Sequence, residues 1–193
     1  MKEAKTALNE LKPKMSSGIS GVPKKVIKNA SATLALPFQR LFNTSIETET
    51  FPNLYKELSA VCIHKRGSKQ DKFNYRQIVC IDPISSAIEA VINKQLLEYL
   101  VENQFIPSQQ YAFKPGKDVG TYACLKDAIA KWIKNRENNK TTIITNFDIS
   151  AAFPTLDVDI VLKKMELLGV KEGTLNWFRS YLNFRVLQTN FKK

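Results

Sequence analysis

Histidine and cysteine are nearly missing from this chain. Its 193 residues include one histidine, His64, and three cysteines, Cys62, Cys80 and Cys124. Three cysteines do not make a disulfide framework, and with a single histidine they do not make a convincing zinc site. Long uncharged apolar runs are missing as well. No stretch approaches the ~18 residues that a membrane span needs, and Met1, Lys2, Glu3 and Ala4 lack the apolar centre of a signal peptide. A reducing, intracellular setting is the plain reading. What is present is globular in character. Hydrophobic residues at 44% and charged residues at 24% exclude wholesale disorder. The length suits one ordinary domain or a pair of small ones, burying about 70% of the unfolded surface.

Acidic residues are also short against basic ones. Eighteen face 29, which leaves a net charge of +11. Such a balance favours polyanions, nucleic acid first among them, although solubility alone accounts for net charge equally well. The distribution helps to decide. Lys56, Lys65, Arg66, Lys69, Lys72 and Arg76 meet only Glu57 and Asp71 over one stretch. Lys114, Lys117, Lys126, Lys131, Lys134, Arg136 and Lys140 meet Asp118, Asp127 and Glu137 over another. Local concentrations of this kind are what an electrostatic binding track requires.

Apolar spacing predicts an amphipathic helix over residues 2–12, ended by Pro13, and a helical segment from about Lys24 to Glu47, broken or kinked at Pro37. LSAVCI (58–63) and YRQIVCI (75–81) flank the polar, basic HKRGSKQDKFN. This pattern predicts an antiparallel hairpin with a long mobile tip, an arm roughly 23 Å long. Further helices are expected over 84–103, about 119–136, from Thr155 or Asp157 through Leu168 with Gly169 closing it, and around 175–182. TTIITNF (141–147) reads as a β-branched strand that delivers Asp148 at its end, and the tail from Gln188 carries no predicted element.

An acid at a strand end projects from a fixed element, which suits a hard cation such as Mg²⁺. The same acid also suits capping of the following turn. Capping and helix-dipole complementarity are the better reading for Asp157 and Asp159. On the hairpin, Lys65 and Arg76 close across the strands could meet a triphosphate, the arginine with bidentate geometry and the lysine as a point charge. Charges that keep a hairpin tip from edge-to-edge pairing would look the same. Cys62 and His64 share a strand face but are too few to hold a metal. Tyr111 and Phe113 alternate within a basic loop and suit either base stacking or core packing.

Taken in order, SSGISGVPKKVIK, LFNTSIETETFPNLYK, AVCIHKRGSKQDKFNYRQI, IEAVINKQLLEYLVENQFIPSQQYAFKPG, FDISAAFPTLD and WFRSYLNFR resemble the reverse transcriptase domain of non-LTR (LINE-like) retrotransposons over nearly the whole chain. The resemblance implies an α+β architecture, with polymerase-type fingers (helices plus the hairpin) over residues 1–139 and an incomplete palm over 140–193. It implies that Asp148 is the first catalytic aspartate and a ligand of two Mg²⁺ ions, with the carbonyl of Ile149 as a further ligand. Phe153 would be the bulky gate that rejects a 2′-hydroxyl. Lys65 and Arg76 would hold the incoming triphosphate, and Gln110, Phe113, Lys114 and Gly116 would lie in a loop near template and nucleotide. The implied partners are an RNA template, a DNA primer and deoxynucleoside triphosphates, acting in the nucleus.

The chain departs from the family pattern at Gln77, where NYRPI has proline. It departs again at Ala112 and Lys114, where QYGFR is usual, and at Pro154, where an acid commonly stands. Lys114 keeps the charge and loses the guanidinium fork. No PQG-type segment and no Asp-Asp pair occurs in the sequence. On the resemblance, the expectation is therefore a reverse transcriptase fragment without the rest of the palm and the thumb, inactive as it stands. The alternative is a non-catalytic, basic, nucleic-acid-binding remnant.

Overall fold

The computed structural model describes residues 2–15, 17–116, 118–149, 152 and 155–190, the last by its backbone alone. Seven helices and three strands are formed by these residues. In chain order they are α1 (Lys2–Asn9), α2 (Lys24–Asn29), α3 (Ser31–Glu47), β1 (Glu57–His64), β2 (Tyr75–Cys80), α4 (Pro83–Glu102), α5 (Thr121–Glu137), α6 (Val158–Leu167), α7 (Glu172–Leu182) and β3 (Val186–Asn190). Helices with one small sheet make this an α+β chain. It divides into two compact units: residues 1–93 with 157–193, and residues 94–156.

The first unit holds the core. Ala4, Ala7 and Leu8 of α1, Phe38 of α3, Ala87, Ile88 and Val91 of α4, and Trp177 of α7 bury together with Leu11 and Phe51. Their spacings of three and four residues put each set on one helix face. Phe51 stands edge-on to Trp177 and Tyr181, with ring centroids 5.6 and 5.0 Å away. The buried indole is satisfied: Trp177 Nε1 donates to Ser45 Oγ at 2.9 Å, and Ser45 Oγ donates to the Thr50 carbonyl at 2.7 Å. Burying each large side chain here stabilises the fold by about 1.5–3 kcal/mol.

The break in the second helical segment falls at Ala30 (φ −89°, ψ 10°), and Pro37 lies inside α3. Two local facts account for this. Ser31, at the start of α3, is buried and donates to Asn9 Oδ1 at 3.0 Å, which ties the new helix to the end of α1. Pro37 and Thr33 are both exposed, so the carbonyl that the proline leaves unpaired is on a solvated face.

The sheet has the order β2-β1-β3. β1 pairs antiparallel with β2, from Ser59↔Cys80 to His64↔Tyr75, and parallel with β3, from Glu57↔Val186 to Val61↔Asn190. The central strand buries Ala60 completely. β3 was not expected from the sequence: Val186–Asn190 is a short, half-polar run that becomes a strand only because β1 offers it an edge.

A second correction concerns residues 141–147. The β-branched run is not a strand: it joins no ladder among the described residues, and Ile143 and Phe147 are 88% and 92% exposed. Periodicity proposes a strand, but only backbone partners complete one.

Candidate functional site

The hairpin takes the form that its sequence predicts. Ile63 faces Arg76 and His64 faces Tyr75, and the Lys65 amide donates to the Asn74 carbonyl at 2.7 Å, which extends the pairing one step beyond β1. Paired residues share a face, and so do alternate residues along a strand. Ile63, Lys65, Asn74 and Arg76 therefore fall on one side, with the two cations at diagonal positions, both exposed. Cys62, His64, Tyr75 and Gln77 take the other side, where the His64 and Tyr75 rings meet edge-on at 5.3 Å.

Between the strands the chain is closely tied rather than free. His64 Nε2 lies 3.1 Å from the Gly67 carbonyl, the Asn74 side-chain amide donates to the Ser68 carbonyl at 3.0 Å, and Tyr75 Oη donates to the Lys69 carbonyl at 2.9 Å. Asp71 accepts from the Phe73 amide at 2.9 Å and caps the short 3₁₀ turn Lys72–Asn74. Gly67 has φ +79°, a conformation that side-chain-bearing residues rarely adopt. Hydrogen bonds thus close the long tip expected from the sequence. Phe73 joins the candidate residues of the tip, and its signal in the sequence is an aromatic set within an otherwise polar, basic run.

The second unit carries the loop candidates. The Gln110 side chain donates to the Ala112 carbonyl at 3.1 Å, and Lys114 Nζ donates to the Ser108 carbonyl at 3.3 Å while lying 5.8 Å from the Tyr111 ring centroid. Phe113 is 91% exposed and has φ +58°, and Gly116 has φ +136°. Tyr111 is half-buried and its hydroxyl is hydrogen-bonded to Asp127 of α5, a bond that pushes the phenol above its ordinary pKa. Of the two aromatics, then, one is secured against α5 and the other presents its ring to solvent.

Asp148 and Ile149 end the extended run of the second unit, both exposed. No group of three His, Cys, Asp or Glu side chains able to hold a metal gathers among the described residues. Asp148 fits one ligand of a cation site, not a complete one. Phe153 lies outside the described residues. Asp157 caps α6, accepting from the Asp159 and Ile160 amides at 2.9 and 3.1 Å, and Asp159 pairs with Arg179 at 3.0 Å. Capping accounts for the first of these acids and an exposed ion pair for the second. No helix among the described residues is long and apolar enough to cross a membrane.

Comparison with known proteins identifies the family. A probable RNA-directed DNA polymerase from transposon BS of Drosophila melanogaster is 26% identical over 117 residues, 60% of this chain and 13% of that protein. The chain thus matches only a small part of that relative's length. The family model described as reverse transcriptase (RNA-dependent DNA polymerase) matches residues 63–193. Because that stretch spans well over half of the chain, the protein belongs to the reverse transcriptase family.

Proposed function

We propose that this chain is part of the RNA-directed DNA polymerase of a non-LTR (LINE-like) retrotransposon: fingers over residues 1–139 and the first segment of a palm over 140–193. The observation that carries the reading is the exposed Lys65–Arg76 pair on one hairpin face, inside the stretch that matches the family. Two cations held by a ladder, one a fork and one a point charge, suit the β- and γ-phosphates of an incoming nucleotide. Gln110, Phe113, Lys114 and Gly116 line a loop toward template and nucleotide, and Phe153 excludes a 2′-hydroxyl by volume.

Asp148 and the Ile149 carbonyl are one edge of a site for Mg²⁺, which in this family supplies charge stabilisation for nucleotidyl transfer. Because a lone exposed carboxylate does not make a two-ion site, the work assigned to these residues is binding and orientation: triphosphate on the hairpin, nucleic-acid backbone along the basic stretches. The two local concentrations of basic residues also support a second reading, a non-catalytic remnant that keeps only the basic track.

Binding of an RNA–DNA hybrid across a salt series tests the shared part of both readings. Neutralising ~5 phosphates gives a log–log slope of about −4, and a flat response would leave solubility as the only role of the charge. Joining the chain to a family segment that carries PQG and the paired aspartates separates the two. Primer extension with Mg²⁺ is then expected, and Asp148→Ala abolishes it. Extension that survives this change identifies a different acid, and its absence in the joined protein favours the remnant.

A further inference from the structure

The hairpin tip presents an apolar ring where no packing requires one. Phe73 is 79% exposed, and its amide is fixed by Asp71. Lys72 Nζ lies 5.2 Å from the Phe73 ring centroid. Arg66 and Lys69 of the same tip are also exposed. The only acid of the tip, Asp71, is occupied in capping the turn that carries the phenylalanine. Leaving a phenylalanine this exposed forfeits its hydrophobic burial, and the hydrogen bonds of the tip hold it in that position without covering it.

From this geometry we infer that Phe73 is a stacking platform for an unpaired base, and that the tip is a binding site for single-stranded nucleic acid. An aromatic face flanked by cations, with no donor or acceptor set aimed at a base edge, is the chemistry that holds single strands without regard to sequence. Charge complementarity selects the occupant. Three cations, Arg66, Lys69 and Lys72, against one engaged carboxylate suit a phosphate backbone, and the ring suits any base. A duplex offers its phosphates to this tip but keeps its bases stacked on one another, so the ring distinguishes the two substrates. The inference rests on the nucleic-acid reading above and adds to it a specific subsite.

The test uses the full chain and three labelled probes of equal length: oligo-uridine, oligo-thymidine and a blunt RNA–DNA hybrid, measured by fluorescence anisotropy. Base–aromatic stacking predicts that Phe73→Ala weakens binding of both single strands about 5- to 140-fold with an unchanged salt slope. Hybrid binding should not move, and Phe73→Trp should retain single-strand affinity. Lys69→Gln with Lys72→Gln should reduce the single-strand salt slope by about 1.4. An unchanged melting temperature for each variant excludes misfolding as the cause. Single-strand binding that is indifferent to Phe73→Ala, alongside hybrid binding by the wild type, overturns this inference and leaves the function intact. Failure of the wild type to bind the hybrid overturns the function, while the two single-strand arms still judge Phe73. Loss on oligo-uridine alone assigns the platform to RNA, and loss on oligo-thymidine alone assigns it to DNA.

Discussion

The two units of this chain solve the same problem differently. Residues 1–93 with 157–193 bury a continuous set of side chains around Leu8, Phe51, Ile88 and Trp177. Among the described residues of 94–156, Ala123 is the only one buried. Both contain amphipathic helices and β-branched runs, so composition does not separate them. What differs is whether each apolar face has a partner within its own unit. β1 meets β2 on one edge and β3 on the other, while the run at 141–147 meets no strand among the described residues. An exposed apolar run of this kind is a surface that associates.

The largest effect should come from striking the two units alike. Trp177→Ala removes the indole that packs on Phe51, Phe178 and Tyr181 and leaves Ser45 without its donor. Loss of about 3–5 kcal/mol of stability is expected in denaturant titration. Phe147→Ala deletes a ring of similar bulk and should change stability by less than about 0.5 kcal/mol. Equal costs at the two positions would dissolve the contrast, because they would mean that Phe147 is covered in solution.

That contrast also marks how far the sequence could be read. α1, α4, α5, α6 and α7 follow from apolar spacing and local stop signals: Asp157 as cap and Gly169 in the left-handed region both behave as their residue types predict. The hairpin was legible because its two strands are neighbours in the chain. β3 and the unpaired state of 141–147 were not, since each depends on a partner far away in sequence, on which local preference is silent. Within the site, the shared hairpin face of Lys65 and Arg76 could be read from strand spacing. The exposure of Phe73 could not, because it depends on the hydrogen bonds that close the tip.

A smaller and more local effect would sharpen the picture of that tip. A Cβ at Gly67 would lie 2.7 Å from the Asn74 side-chain Nδ2, and the backbone there has φ +79°. Gly67→Ala should therefore cost about 1–3 kcal/mol. The cost should appear as faster amide hydrogen exchange at Phe73 and Asn74, while Leu8 and Ile88 keep their protection. Uniform loss across the first unit would show that the tip is integral to the core.

The smallest effect is one of pH, and it again sets the units apart. Burial pushes the Tyr181 phenol above its ordinary value, Glu89 adds to this, and Arg185 opposes it. Burial likewise raises Tyr55, with Asp82 adding to the shift. A phenol raised in the folded state contributes stability that is fully present below the unfolded value of 10.0 and is lost as pH climbs through the folded one. Lys56 works the other way. Burial, then the charge of Arg185, lowers its pKa, so its penalty is present at neutral pH and is relieved as pH rises toward 10.5. Comparison of the wild type with Tyr181→Phe cancels the lysine. The difference in unfolding free energy should be constant up to about pH 10 and decline above it. Tyr111→Phe, which severs the tie to Asp127 in the other unit, should leave the melting transition of the first unit where it was. A difference curve for Tyr181→Phe that declines already near neutral pH would mean that the group being titrated is not this phenol.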